Sequence, residues 1–316
     1  MINREVVFFM VFEDVLEEYL YHCLARGYTH KTMINKRQEY KNLKIYLKDK
    51  RAITELESIT TFDLRAYFRI KQQAGLQAQS IVTMYKMIAA FFNWCEREGY
   101  LTENPISKVV TPKVPKKVLN GFTVEEVQGM IEAFSYRTYI EARNKAMIAM
   151  LADCGLQAME IRSLTVENVK EKTLLIYGKG NKERIVFISP ALKKILIKYD
   201  RMRKQYFKDK IIKEDCFFLT YLGTGLSHVS LYNVIKEAGK RAGVEDKRVS
   251  PHTFRHFYSV QSLLSGKLDL HSLSLLLGHS DITTTQRYLS SMNNEQLVDK
   301  ATSSSPLMNM KGNETS

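Results

Sequence analysis

Cysteine is scarce and scattered: Cys23, Cys95, Cys154 and Cys216 are the only four in 316 residues, and no two form a CxxC pair. This argues against a disulfide framework or a zinc knuckle and reads as single buried thiols in a reducing compartment. Proline is rare at six and glycine modest at 15, which excludes collagen-like and Pro/Gly-rich disordered chains. No stretch approaches the ~18–20 apolar residues of a membrane helix. The apolar run from Val6 to Phe12 is too short for a signal peptide, and acidic residues follow it at once. The expected location is the cytoplasm, with no membrane partner.

Acidic residues are in deficit as well. Lys and Arg number 47 against 34 Asp and Glu, a net charge of +13. Residues 1–120 hold 19 basic and 13 acidic side chains, so the excess is shared by both parts of the chain and is not a basic tail. A chain that is basic throughout is a candidate for wrapping a polyanion, nucleic acid first, although an unspecialised basic protein has the same balance. Its length suits two domains.

What is present is helical periodicity. Val11, Val15, Leu16, Tyr19, Leu20 and Cys23 recur at helical spacing. A long basic helix is expected from Thr29 to Lys48 with Met33, Tyr40, Leu43 and Tyr46 inward, and a third helix from Thr60 or Thr61 to about Gln73. A fourth spans Gln77 to Glu98, with Ile81, Met84, Tyr85, Ile88, Ala89, Phe92 and Trp94 as a stripe that reads as core packing rather than as a base-stacking platform. Residues 1–108 thus form a four-helix domain. The segment VVTPKVPKKVLN, 109–120, reads as an extended basic linker. A second domain, 121–300, opens on a capping box at Thr123 and Glu126. Helices are expected over 123–135, 138–154, 190–208, 227–242, 251–265, 270–277 and 281–289. A β-hairpin pairs Thr173–Tyr177 with Arg184–Ile188 around Gly178-Lys179-Gly180-Asn181. A polar tail, 301–316, follows. The fold class is mainly α with one small β-hairpin.

Three segments carry chemistry. Ser250-Pro251 can start a helix whose first turn holds His252 and Arg255 at i and i+3, beside free backbone N–H groups. Leu277-Gly278-His279-Ser280 ends one helix, and Asp281 can cap the next, which reaches Tyr288. The hairpin presents Lys179, Lys182 and Arg184 as three cations on an exposed turn, which favours phosphate contact. Its spacing does not fit a phosphate loop.

Together these segments resemble the tyrosine recombinase/integrase family over about residues 11–295. The resemblance rests on Asp153-Cys154-Gly155-Leu156-Gln157-Ala158-Met159-Glu160-Ile161, Gly178-Lys179-Gly180-Asn181-Lys182-Glu183-Arg184, His252-Thr253-Phe254-Arg255-His256, Leu277-Gly278-His279-Ser280 and Arg287-Tyr288. It implies an N-terminal helical core-binding domain and a C-terminal mixed α+β catalytic domain clamping duplex DNA with inverted-repeat sites, a homotetramer in the synaptic complex, and no cofactor. By the same resemblance Tyr288 is the nucleophile that forms a 3′-phosphotyrosyl link. Arg255 holds the scissile phosphate, and His252 is a general acid/base. Lys179 protonates the 5′-oxygen, His279 hydrogen-bonds the phosphate, and Glu160 supports the site.

One position departs. Where the family carries its first arginine this chain has Gln157, which brings neither charge nor a guanidinium fork. The substitution implies a weakened enzyme. The intactness of every other motif favours a deliberate replacement over a natural variant. A DNA-binding accessory protein that kept the fold and lost cleavage is the alternative, and it gives no reason to keep Tyr288, Lys179, His252, Arg255 and His279. A basic RNA-binding or scaffold protein does not account for the order of the motifs.

Overall fold

The computed structural model describes residues 10–115, 120–178, 183–279 and 281–289. Lys179, Lys182, the tail expected over 301–316 and part of the expected linker fall outside them. The chain divides into two compact units, Met1–Lys116 and Lys117–Ser316.

The first unit holds α1 (Phe12–Ala25), α2 (His30–Arg51), α3 (Thr61–Gln73) and α4 (Ala78–Arg97). Thr29 caps α2. Thr60 and Asp63 form a reciprocal capping box at α3, so two backbone N–H groups with no helical partner are satisfied by one residue pair. The stripe of α4 is core: Ile88, Phe91 and Phe92 are fully enclosed, while Tyr85 and Ala89 are half-buried beside them. Rings from three helices meet edge to face, with Phe91 of α4 5.6 Å from Phe12 and 5.4 Å from Tyr19 of α1, and Tyr19 5.9 Å from Tyr40 of α2. These aromatics are therefore unavailable for base stacking. Lys36 is buried among them, and its ammonium donates to the Tyr19 and Tyr40 hydroxyls at 2.9 and 3.3 Å. Burial pushes its pKa down.

The second unit runs α5 (Val124–Glu132), α6 (Tyr139–Cys154), α7 (Ala158–Ser163), β1 (Thr173–Tyr177), β2 (Glu183–Phe187), α8 (Pro190–Tyr206), α9 (His228–Arg241), α10 (Pro251–Leu264), α11 (Leu270–Leu277) and α12 (Thr283–Leu289). The hairpin is antiparallel, with Leu174 facing Val186 and Ile176 facing Arg184. Its second strand begins one residue earlier than the sequence suggests. α6 is enclosed along most of its length, with Ala146, Ile148, Met150 and Leu151 inaccessible, and it forms the centre of the larger core. Gly155 ends α6 at φ +59°, and a Cβ there would lie 2.4 Å from the Tyr258 ring, so α10 passes too close for any side chain. α7, six residues long, follows at once; the hydrophobic pattern does not announce it. A smaller cluster of Val260, Leu263, Leu273, Leu277 and Tyr288 joins α10, α11 and α12. Among the described residues no helix is long and apolar enough to cross a membrane, and no group of three or more His, Cys, Asp and Glu side chains could hold a metal ion.

Candidate active site

α10 supplies the first side chains. Ser250 caps it and Pro251 occupies its first position, which leaves His252 exposed on the first turn and brings Arg255 inward one turn later. Arg255 is 3% exposed. Its Nη1 donates to the Gly155 carbonyl at 3.0 Å, and its Nη2 donates to the Leu277 carbonyl at 2.6 Å and to His279 Nε2 at 2.9 Å. All three acceptors are neutral. The guanidinium thus joins the end of α6 to the end of α11 and, among the described residues, is hydrogen-bonded to no carboxylate; a buried cation bonded to neutral groups is a ready seat for an anion. Burial nudges its pKa down, and the nearby Tyr288 phenol and Glu160 carboxylate oppose that effect.

His279 follows Gly278, which caps α11 at φ +71°. Arginine can only donate, so the Nε2 facing Arg255 must be the acceptor. The ring proton is therefore on Nδ1, which donates to Thr285 Oγ1 at 2.8 Å, inside the core. Burial first, then Arg255 and Arg184, hold the His279 pKa at about 4. The imidazole is neutral at pH 7 and tightly oriented.

Tyr288 lies on α12 and is 5% exposed. Its ring stacks near His279 at 6.2 Å between centroids and tilts against His256 at 5.5 Å. His256 is buried, its Nδ1 has no hydrogen-bond partner among the described residues, and Gly121 passes so close that a Cβ there would lie 2.8 Å from the ring. It packs on Tyr288, a role that its place directly after Arg255 could have suggested and that motif matching passed over.

Gln157 precedes α7 and is exposed. Its backbone N–H donates to Glu160 Oε2 at 2.7 Å. Glu160 is buried and paired with both terminal nitrogens of Arg184 at 2.6 and 2.8 Å. This corrects the expectation that Arg184 is one of three exposed hairpin cations: it is turned inward and neutralised. Arg162 points away from the site and donates to the Leu226 carbonyl at 2.7 Å. Tyr288, Arg255, His279 and Glu160 are thus brought together, His252 stands one turn from Arg255, Gln157 lies two residues from the carbonyl that Arg255 holds, and Lys179 lies outside the described residues.

The histidines predict an acid sensitivity. Burial holds His279, and to a lesser degree His256, below the ordinary value of 6.5; His252, whose outer edge is exposed, is lowered too, by partial desolvation of its ring and then by Arg248 and Arg255. The folded state therefore favours the neutral rings, and stability that is fully present above 6.5 is lost as the pH falls toward about 4. Urea unfolding should show that decline, and His279→Gln should flatten it. A decline unchanged by the substitution would remove His279 as its source.

Residues 120–295 match the phage integrase family. The chain is 30% identical over 278 residues to tyrosine recombinase XerD of Staphylococcus epidermidis, covering 87% of this chain and 92% of that protein. The chain belongs to the phage integrase family of tyrosine recombinases. A tyrosine recombinase XerD of Proteus mirabilis is 30% identical over 236 residues, 73% of this chain and 74% of that one. Among solved structures, XerH site-specific recombinase bound to palindromic difH substrate, in a post-cleavage complex, aligns with a TM-score of 0.72 at 19% identity over 90% of this chain and 83% of its own. A lambda integrase dimer bound to a COC′ core site aligns at 0.67 with 18% identity over 87% and 97%. Both share the tyrosine recombinase fold, mostly helical with a small antiparallel sheet. The family acts in site-specific DNA recombination.

Proposed function

We propose that this chain breaks and rejoins duplex DNA at specific sites through a 3′-phosphotyrosyl intermediate, in the integration, excision or transposition of a mobile element, and that Gln157 lowers its rate. The observation that carries this reading is a buried Arg255 whose acceptors among the described residues are all neutral, set beside a buried Tyr288 and an oriented His279.

The scissile phosphate supplies the negative charge that Arg255 lacks. Tyr288 Oη attacks phosphorus, one P–O bond forms and the bond to the 5′-oxygen breaks. The phenol proton leaves through His252 or water, and Lys179 gives the 5′-oxygen a proton. Reversal by another 5′-hydroxyl seals the strand, so the number of phosphodiester-type bonds is constant. As Arg255 turns toward phosphate, His279 Nε2 loses its donor. The proton then belongs on Nε2, where it can be given to a phosphate oxygen. The Thr285 hydroxyl suits either tautomer, because it can donate as readily as it accepts.

In the same reading 1–108 is the core-binding domain, 109–120 a tether and 121–300 the catalytic domain. Four copies assemble on two duplexes carrying inverted repeats, in the cytoplasm. A lambda integrase tetramer that shares this fold, with a TM-score of 0.69 to this chain, has been solved on a Holliday junction, and the recombinase family membership supports the DNA partner.

The test starts from duplexes selected out of a random library by this protein, rebuilt with a nick beside each candidate cleavage position. A denaturing gel should show a covalent protein–DNA band that protease removes. Tight binding with no adduct on any nicked duplex, even with arginine restored at 157, would favour the accessory-protein reading.

Binding itself should be strongly salt-dependent, because the +13 charge is shared along the chain. With ~6–10 phosphates neutralised, affinity should fall by ~10³–10⁵ between about 50 and about 200 mM salt. A flat affinity over that range would contradict phosphate-dominated binding.

A further inference from the structure

Arg184 touches neither Tyr288 nor Arg255 by any hydrogen bond among the described residues. Arg184 sits in β2 with its side chain almost enclosed, 10% exposed against 4% for Glu160. Its two terminal nitrogens hold both carboxylate oxygens of Glu160, and its Nε donates to the Leu276 carbonyl at 2.8 Å. Glu160 in turn holds the Gln157 backbone. Leu276 is the residue before Leu277, whose carbonyl binds Arg255, and two before Gly278. Gly278 leaves room for the arginine: a Cβ there would lie 3.0 Å from Arg184 Cδ.

We propose that Arg184 is a positioning residue of the active site: it fixes the turn bearing Gln157 and the end of α11 bearing His279 in register with Arg255, and it contacts no DNA phosphate. The inference rests on the recombinase reading above. Three observations support it. The bidentate pair with Glu160 already neutralises the guanidinium, so it is not a free cation waiting for DNA. Its planar fork bonds in two directions at once, which the single nitrogen of a lysine cannot do. Arg184 also ties down β2, so one side chain links that strand, the α6–α7 turn and the end of α11.

The charges acting on His279 are Arg255, Arg184, Glu160 and His252, and they provide a readout independent of cleavage. In the full-length protein, Arg184→Met leaves Glu160 unopposed, and the His279 pKa followed by NMR should rise by about one unit or more. Glu160→Gln leaves Arg184 unopposed, and the His279 pKa should stay low or fall. A residue that only held the fold together would raise it in both variants by admitting water. The second readout is single-turnover cleavage at saturating DNA. Arg184→Lys should cleave about tenfold more slowly or worse, with duplex affinity and its salt slope unchanged.

The proposal is overturned if His279 moves the same way in both variants or in neither. It is also overturned if Arg184→Lys cleaves at the parent rate, or if its salt slope drops by about one, the mark of a lost phosphate contact. Should Arg184→Met fail to fold, Glu160→Gln and Arg184→Lys still decide it, since the first must not raise the His279 pKa and the second must slow cleavage alone. If the parent protein forms no adduct on any duplex the recombinase reading fails, while the His279 titration still judges the charge coupling on its own.

Discussion

Tyr288→Phe should eliminate the covalent protein–DNA adduct and leave duplex affinity within about twofold. The ring is buried among Val260, Leu263, Leu273 and Leu277 and lies against His256 and His279. All of that packing survives in phenylalanine, and only the attacking oxygen is lost. Affinity is carried by many phosphate contacts, so removing one phenol that bonds none of them in the ground state changes it little. Adduct formed by the Phe variant would move the nucleophile elsewhere. Tyr258 is the other tyrosine on α10–α12, but it packs against Gly155 and burial pushes its hydroxyl pKa up.

Gln157→Arg should raise the single-turnover cleavage rate by ~10²-fold or more at saturating DNA, with a much smaller change in affinity. The side chain at 157 is exposed, so the longer arginine needs no repacking of the core. The turn is fixed at both ends, by Arg255 on the Gly155 carbonyl and by Glu160 on the Gln157 N–H. A second guanidinium there adds positive charge beside Arg255, where negative charge grows on the phosphate as Tyr288 attacks. A preorganised donor to such a transition state is worth ~10²–10³ in rate, and it acts there more than on bound substrate. Arg184 does not already fill this role, because Glu160 neutralises it, and Arg162 is held by Leu226. Equal rates for the two proteins would show that Gln157 is adequate as it stands.

The helices were legible because amphipathic periodicity and caps agree along most of the chain. Thr60, Thr123, Ser189 and Ser250 each mark a helix start by the hydrogen bond a short hydroxyl side chain makes there. α7 was not legible. Six residues are less than two turns, too few to show a period, and its start is held by Glu160 reaching back to Gln157. Arg184 was misread for a different reason: nothing local says that a strand arginine beside a basic turn finds a carboxylate 24 residues upstream. The roles of Tyr288, Lys179 and His279 came from family resemblance and not from periodicity. A tyrosine two turns into a short helix is ordinary core by pattern alone, and core is also where the fold places it. What no pattern could supply is the neutrality of Arg255's partners and the tautomer that this imposes on His279.

The central claim is that Tyr288 links covalently to DNA in a pocket built on Arg255. The most direct measurement is mass spectrometry of the protein–DNA adduct after digestion with protease and nuclease, using the nicked duplex and both the parent and the Gln157→Arg proteins. The account predicts a nucleotide joined through its 3′-phosphate to the peptide containing Tyr288, in greater yield from Gln157→Arg. A nucleotide on any other residue, or no adduct from either protein on a duplex that both bind tightly, would contradict it.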